Sequence, residues 1–354
     1  MQFPVIHIVK RLGRVGGMES YVWYLVHGLA EEGIQVAVVC EQVCEFPDNR
    51  IQIVKVEVSP ERPRWRSMLK FRLSVDQKIR EVFSGQFVLV HSHERSLCHQ
   101  VTTFHGPPIE QPKVLGWFSR FNKRFCSWRQ MERDELLGRS VQMVLPVSSK
   151  VRDELLCRYP EVNGRRIDLA YPGVQYPKTV ARGSQQFCLE DLKFVFVGKE
   201  WKRKGLDIAV RIVEEFRRSH GNATLTVFGC ERRELPRSLR TLRWMIVRGW
   251  SKDVPWTDFD MLLHPARKEP FGMVVAEARA HGLPVLMSSN VGAADLRFSN
   301  IWINDLDAPV TDWVEAVESL ALAVDTTPEI KWAWVDLVAK HTQFIYPQLE
   351  AIKL

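Results

Sequence analysis

Two glutamates with seven residues between them stand in the run Glu269-Pro270-Phe271-Gly272-Met273-Val274-Val275-Ala276-Glu277. The pattern predicts Glu269 in a loop and Glu277 on a helix that starts at about Gly272. A carboxylate accepts two hydroxyl hydrogen bonds. Glu269 can therefore stand beside a sugar while the N–H groups of Phe271, Gly272 and Met273 lie beneath its hydroxyls or a phosphate, with Glu277 farther along against a ribose. A glutamate pair at this spacing also arises by chance, so its surroundings must decide.

A second candidate is Lys199-Glu200-Trp201-Lys202-Arg203-Lys204-Gly205, which sets four cations between an apolar run and a helix start. A diphosphate can be held there by charge and backbone N–H together. A solvated basic turn fits the composition equally well. Near the front, Gly13, Gly16 and Gly17 would let backbone approach a phosphate or sugar. Their spacing is not Gly-x-Gly-x-x-Gly, which disfavours a nicotinamide enzyme. A tight turn needing positive φ at one glycine explains them too.

These groups fall between elements of one recurring kind. Val5 to Val9 reads as a buried parallel strand, a helix runs from near Glu19 to Ala30, Gly33 stops it, and Val36 to Val39 is the next strand. Further strands are expected at Ile51 to Val56, Phe87 to Val90, Val101 to Phe104 and Val141 to Val147, with helices at Lys70 to Phe83, Leu115 to Leu137 and Ser149 to Tyr159. The cycle restarts with a strand at Phe194 to Val197 and a helix from Gly205 to Arg218. Strands follow at Thr224 to Phe228, Met245 to Val247 and Met261 to Leu263, then the helix from Gly272 to His281 and the strand Pro284 to Met287. Such alternation predicts α/β domains with parallel sheets covered on both faces, and ligands beyond the carboxyl ends of the strands. Residues 1–174 are read as one domain, 175–186 as a linker, 187–325 as a second domain, and 326–354 as a segment with a helix around Lys331 to Phe344.

The length of 354 residues suits two domains, and 45% hydrophobic with 26% charged residues is a globular balance. No run approaches the roughly 20 apolar residues that span a bilayer, and the first segment is too short for a signal peptide, so a cytoplasmic protein is expected. Seven cysteines between Cys40 and Cys230, without paired zinc spacing, suit reduced thiols. A net charge of +7 admits nucleic acid, an anionic membrane or a phosphorylated substrate as partner. Basic residues in Arg62 to Arg80 and Arg120 to Arg133 are interleaved with Trp65, Phe71, Trp117, Phe118, Phe121, Phe125 and Trp128. These segments read either as a surface facing a bilayer or acceptor, or as amphipathic core helices.

The glutamate pair gains its meaning from what flanks it: Leu262-Leu263-His264-Pro265-Ala266 before, and Ala278-Arg279-Ala280-His281-Gly282-Leu283-Pro284-Val285-Leu286 after. This segment resembles the retaining family-4 glycosyltransferases of the GT-B fold, whose signature is Glu-x7-Glu followed by Ala-x-Gly-x-Pro-Val. The resemblance extends to Gly16-Gly17-Met18-Glu19, Phe104-His105-Gly106, Val147-Ser148 and Tyr171-Pro172-Gly173-Val174, and is strongest to enzymes that build bacterial lipopolysaccharide core. It implies two facing Rossmann-like domains, with the C-terminal segment crossing back to the first. Arg203 and Lys204 would hold the donor diphosphate, with Lys199 nearby. Glu269 would face the donor sugar, Glu277 the ribose, and Phe271, Gly272 and Met273 would line the nucleotide-sugar site. Gly16 and Gly17 would border the phosphates, and His105 would lie near the reacting centre.

No cofactor beyond the nucleotide-sugar co-substrate is implied, and in this chemistry the leaving diphosphate itself takes the acceptor's proton. The chain departs from the family in leaving little room for a helix between Trp250 and Phe259, and in reading Asn290-Val291-Gly292-Ala293-Ala294-Asp295 where two glycines and a glutamate are common. Asp258-Phe259-Asp260 and Asp305-Leu306-Asp307 match the Asp-x-Asp of metal-dependent enzymes of another fold and are discounted. His91-Ser92-His93 would share a strand face, but no cysteine pair completes a zinc site, so no metal is expected. The expectation is transfer of a hexose from a uridine diphosphate sugar to a glycan or glycolipid at the inner membrane face, with no nucleic acid partner. An epimerase or phosphorylase of the same fold, or a non-catalytic binding protein, remains the alternative.

Overall fold

The computed structural model describes residues 3–109, 122–177, 187–322 and 326–354. The chain forms two compact units: Met1–Gly173 together with Trp334–Leu354, and Val174–Ala333. Residues 326–333 thus go with the second unit, and of the expected linker 178–186 lie outside the described residues.

In the first unit, parallel strands lie in the order Ile51–Lys55, Val36–Cys40, Val5–Ile8, Phe87–Ser92, Val101–Phe104, Met143–Pro146 and Arg166–Ile167. Ile352–Lys353 joins antiparallel to Phe87–Ser92. Val5–Ile8, Val36–Cys40 and Met143–Pro146 are buried at every position, as a sheet covered on both faces requires. The helix Gly17–Glu31 buries Tyr21, Val22, Leu25, Val26 and Leu29, the stripe its periodicity predicts.

The helix Arg64–Val82 begins at Arg64 rather than Lys70, because Pro63 sits in extended backbone just before it while the basic first turn hides the period. The helix Lys123–Leu137 starts behind Asn122, whose side chain accepts a hydrogen bond from the Phe125 N–H. The expected stretch from Leu115 to Phe121 lies outside the described residues, as do Trp117 and Phe118. Phe71 is fully buried and Trp65 and Trp128 pack against the same core. The core reading holds for Phe71, while Trp65 and Trp128 pack against that core and stay half-exposed.

The second unit carries a sheet of parallel strands in the order Met245–Gly249, Thr224–Phe228, Lys193–Val197, Met261–His264, Val285–Ser288 and Ile301–Asn304. Its core joins Phe194, Phe196 and Phe216 with Trp313 of the helix Val310–Leu322. Sequence reading missed Ile301–Asn304 because this edge strand is short, its apolar Ile301-Trp302-Ile303 being half-exposed rather than buried on both faces. Between Met245–Gly249 and Met261–His264 the segment closes with a single 3-10 turn, Trp256–Asp258, around the buried Trp256. The C-terminal helix is shorter than expected: Trp334–Lys340 passes into a π-helical His341–Ile345. All seven cysteines are free thiols, and among the described residues no helix is long and apolar enough to cross a membrane.

Candidate functional site

The second unit brings most of the predicted residues together at the carboxyl ends of two neighbouring strands. Lys193–Val197 runs into the basic loop, which ends at Gly205 in the left-handed region before the helix Leu206–His220. Met261–His264 runs into the loop that carries Glu269 and ends at left-handed Gly272 before the helix Met273–Ala280. The two loops are stitched to each other. Arg267 N donates to the Arg203 carbonyl at 2.8 Å, and the Arg267 guanidinium holds Asp207 at 2.8 and 2.7 Å. A Cβ on Gly205 would stand 1.9 Å from the Pro265 carbonyl oxygen, so only glycine lets the loops approach this closely.

Glu269 is the centre of this arrangement. Its Oε2 lies 3.2 Å from Lys204 Nζ, 3.3 Å from Arg203 Nη1 and 3.7 Å from His264 Nε2, and the residue is only 8% exposed. Burial opposes its ionisation, yet Lys204, His264 and Arg203 together hold its carboxyl well below the usual carboxylate range. The backbone is fixed as well: Glu269 N donates to the Asn290 carbonyl at 3.1 Å, Gly292 N to the Glu269 carbonyl at 3.1 Å, and Ala293 N to the Phe271 carbonyl at 2.7 Å. The segment from Asn290 that departs from the family pattern therefore clamps the Glu269 loop.

Lys204 reaches Glu269 because Gly198 has no side chain. A Cβ there would stand 2.2 Å from Lys204 Cδ, and Gly229 backs Gly198 at a distance no Cβ tolerates. Arg203 also bonds Glu200 and the Lys268 carbonyl. Phe271 and Gly272 are buried, Met273 is half-buried, and Lys199 is exposed. Glu277 lies within the helix Met273–Ala280, half-buried, and burial raises its pKa against the opposing pull of Lys204. His264, Gly198, Gly229 and Arg267 were not singled out from sequence. The glycines closing two successive strands were the available signal.

The remaining predicted residues are in the first unit. Gly13 carries the positive φ of the front loop, at 142°, and Gly16 is ordinary extended backbone. A Cβ on Gly16 would meet the Glu19 carboxylate, which Arg11 holds through Nε at 3.1 Å. Gly17 opens the helix Gly17–Glu31. His105, just past the strand Val101–Phe104, bonds through Nε2 to His93 Nδ1 at 3.1 Å and meets the Tyr21 ring edge-on at 4.8 Å.

His91 and His93 do stack, with centroids 4.2 Å apart, and His7 joins them to make a buried trio whose nitrogens lie within 4.8 Å. Each of the six ring nitrogens already faces another histidine, Thr103 or Tyr346. The trio is accounted for as a hydrogen-bonded group.

Residues 15–176 match Glycosyltransferase Family 4, and residues 191–322 match Glycosyl transferases group 1. A D-inositol 3-phosphate glycosyltransferase from Paenarthrobacter aurescens is 22% identical over 366 residues, covering 90% of this chain and 87% of its own length. Among solved structures, WaaG, a glycosyltransferase involved in lipopolysaccharide biosynthesis, has a TM-score of 0.71 at 18% identity, covering 97% of this chain and 96% of that one. Anabaena Alr3699/HepE, solved in complex with UDP and glucose, has a TM-score of 0.66 at 13% identity, covering 97% and 99%.

Proposed function

The chain belongs to the family-4 glycosyltransferases of the GT-B fold, and on that premise we propose that it is a retaining hexosyltransferase working from a uridine diphosphate sugar. The observation that carries this reading is the buried Glu269 carboxylate, kept ionised by Lys204, Arg203 and His264 at the ends of two parallel strands. In this reading Glu269 accepts hydroxyl hydrogen bonds from the donor sugar. Lys204 and Arg203, with Lys199 at the rim, stabilise the charge that grows on the diphosphate as the anomeric C–O bond breaks. The acceptor oxygen forms its bond to the anomeric carbon on the same face, and its proton passes to the departing phosphate oxygen. Phe271, Gly272 and Met273 offer backbone at the start of a helix, where N–H groups favour anions, and Glu277 takes the ribose.

Fixed cations supply the positive charge, so no metal ion is invoked. The acceptor is a lipopolysaccharide core glycan or another cell-surface glycolipid, met at the cytoplasmic face. The resemblance to lipopolysaccharide glycosyltransferases supports such an acceptor, whereas the D-inositol 3-phosphate glycosyltransferase relative favours a small phosphorylated one.

The test is mass-detected turnover of a nucleotide-sugar panel, with and without chelator, by the native protein and by Lys204→Ala and Glu269→Ala. Chelator-resistant donor breakdown is expected, reduced roughly 100-fold or more in each variant. Undiminished turnover in both variants overturns the assignment, and folded protein that neither turns over nor binds any nucleotide points to a binding protein instead. Unchanged glycolipids in a deletion strain would remove the acceptor assignment alone.

A further inference from the structure

His7 and His91 are partners in register on adjacent parallel strands, so their side chains emerge side by side on one face of the sheet. His93 follows the strand Phe87–Ser92, and His105 follows Val101–Phe104. From the C-terminal segment Tyr346 enters the same buried space. The contacts form one unbroken line: His105 Nε2 to His93 Nδ1 at 3.1 Å, His93 Nε2 to His7 Nδ1 at 3.1 Å, and His7 Nε2 to the Tyr346 hydroxyl at 3.4 Å. From Tyr346 it continues to His91 Nδ1 at 2.9 Å, and from His91 Nε2 to Thr103 Oγ1 at 2.8 Å.

Burial keeps these imidazoles neutral, drawing His7 and His105 down to about 3 and His91 and His93 well below the usual value. A neutral imidazole has one N–H and one lone pair. In a line of nitrogen-to-nitrogen contacts, the direction of one hydrogen bond therefore dictates the direction of the next. Tyr346 decides it, because its hydroxyl has one hydrogen for two histidines. That hydrogen goes to the nearer nitrogen, His91 Nδ1, and His91 then donates from Nε2 to Thr103. His7 must donate to the tyrosine oxygen from Nε2. Its Nδ1 is then a lone pair that accepts from His93 Nε2–H, and His93 Nδ1 accepts from His105 Nε2–H.

We propose that Tyr346, His7 and His93 act as positioning residues that hold His105 in its Nε2–H form, so that Nδ1 is presented as a lone pair and His105 meets a substrate hydroxyl rather than a phosphate oxygen. His105 is the half-buried end of the line, and its Nδ1 has no partner among the described residues. A lone pair there repels an anionic oxygen and accepts an alcohol hydrogen, so the line selects which part of the substrate His105 can face. His341 serves as an internal contrast. It stacks beside His91 at 5.5 Å, but its Nδ1 faces the Leu337 carbonyl at 2.8 Å, and a carbonyl can only accept. His341 is therefore the Nδ1–H form.

The inference about substrate rests on the reading of His105 as a group at the reacting centre, while the tautomers do not. The experiment is long-range proton–nitrogen correlation NMR on the full-length protein labelled at histidine nitrogen, with resonances assigned by single substitutions. His7, His91, His93 and His105 are expected as Nε2–H and His341 as Nδ1–H. Finding His93 or His105 as Nδ1–H in the native protein overturns the proposal whatever the variants do.

In Tyr346→Phe, which keeps the ring, the nitrogen shifts of His105 should move toward a mixture of the two forms although the two residues do not touch. Unmoved shifts in that variant overturn it as well. Turnover separates the two levels: Tyr346→Phe should lower kcat about fivefold in the native background and have no further effect on His105→Phe. If His105→Phe leaves turnover intact while the tautomers stand, the placement of His105 at the reacting centre fails and the hydrogen-bonded line survives.

Discussion

Burial alone would keep the Glu269 carboxyl protonated, and the cations around it reverse that preference. Its folded pKa is depressed, so the stability it contributes is fully present above the ordinary carboxylate value and is lost progressively as pH falls from there through the folded value. The buried histidines act in the opposite pH range. Their folded pKa values lie below the unfolded value of 6.5, near 3 for His7 and near 4 for His99 and His341. Below about pH 6.5 the unfolded chain binds protons that the folded chain refuses, so stability falls as pH drops. Each fully titrating histidine contributes a slope of about 1.4 kcal/mol per pH unit. Denaturant unfolding at pH 7 and pH 5 should show a marked loss, relieved in part by His341→Gln; equal stability at the two pH values would contradict the neutral, buried cluster. At this scale the meeting of Lys204 with Glu269 was legible because each stands in a short contiguous pattern at the end of a strand. The contacts of His7 with His93 and Tyr346 were not, since they span 86 and 339 residues.

The elements that carry the site are set by glycines as much as by helices. Gly205 has φ at +79° and faces the Pro265 carbonyl, so Gly205→Ala must either strain the backbone or push the basic loop off the Glu269 loop. The expected outcome is a stability loss of about 1–3 kcal/mol together with a raised KM for the donor. A KM unchanged in a destabilised protein would show that the loop spacing does not serve donor binding. The strand, basic loop and helix order was readable from apolar runs and Gly punctuation, because each element buries its own periodic face. That the loop from Asn290 clamps the Glu269 loop was not legible, since the work is done by backbone N–H and carbonyl groups that leave no mark on side-chain identity. The chain from Ile301 to Leu322 escaped notice because a half-exposed edge strand breaks the alternation.

At the level of the whole molecule, the chain leaves the first unit at Gly173 and re-enters it at Trp334. The returning segment is built into that unit: Trp334 stacks on Tyr24 with centroids 4.6 Å apart, Val338 fills the space opposite Gly28, Lys340 pairs with Asp168 at 2.9 Å, and Ile352–Lys353 adds a strand beside Val88. Deleting residues 334–354 should uncover Tyr21, Tyr24 and His91 and lower the thermal midpoint of the first unit while that of the second stays put. A single unchanged unfolding profile would show the segment to be dispensable. The return path also orders events in time. A ribosome delivers residues from the N-terminus at roughly 5–20 per second. All of the second unit has therefore been synthesised before Tyr346 emerges to close the hydrogen-bonded line begun at His7. For some ten seconds or more of synthesis the first unit must wait with His7 Nε2 and His91 Nδ1 lacking their tyrosine, and it is the part that a chaperone meets for longest.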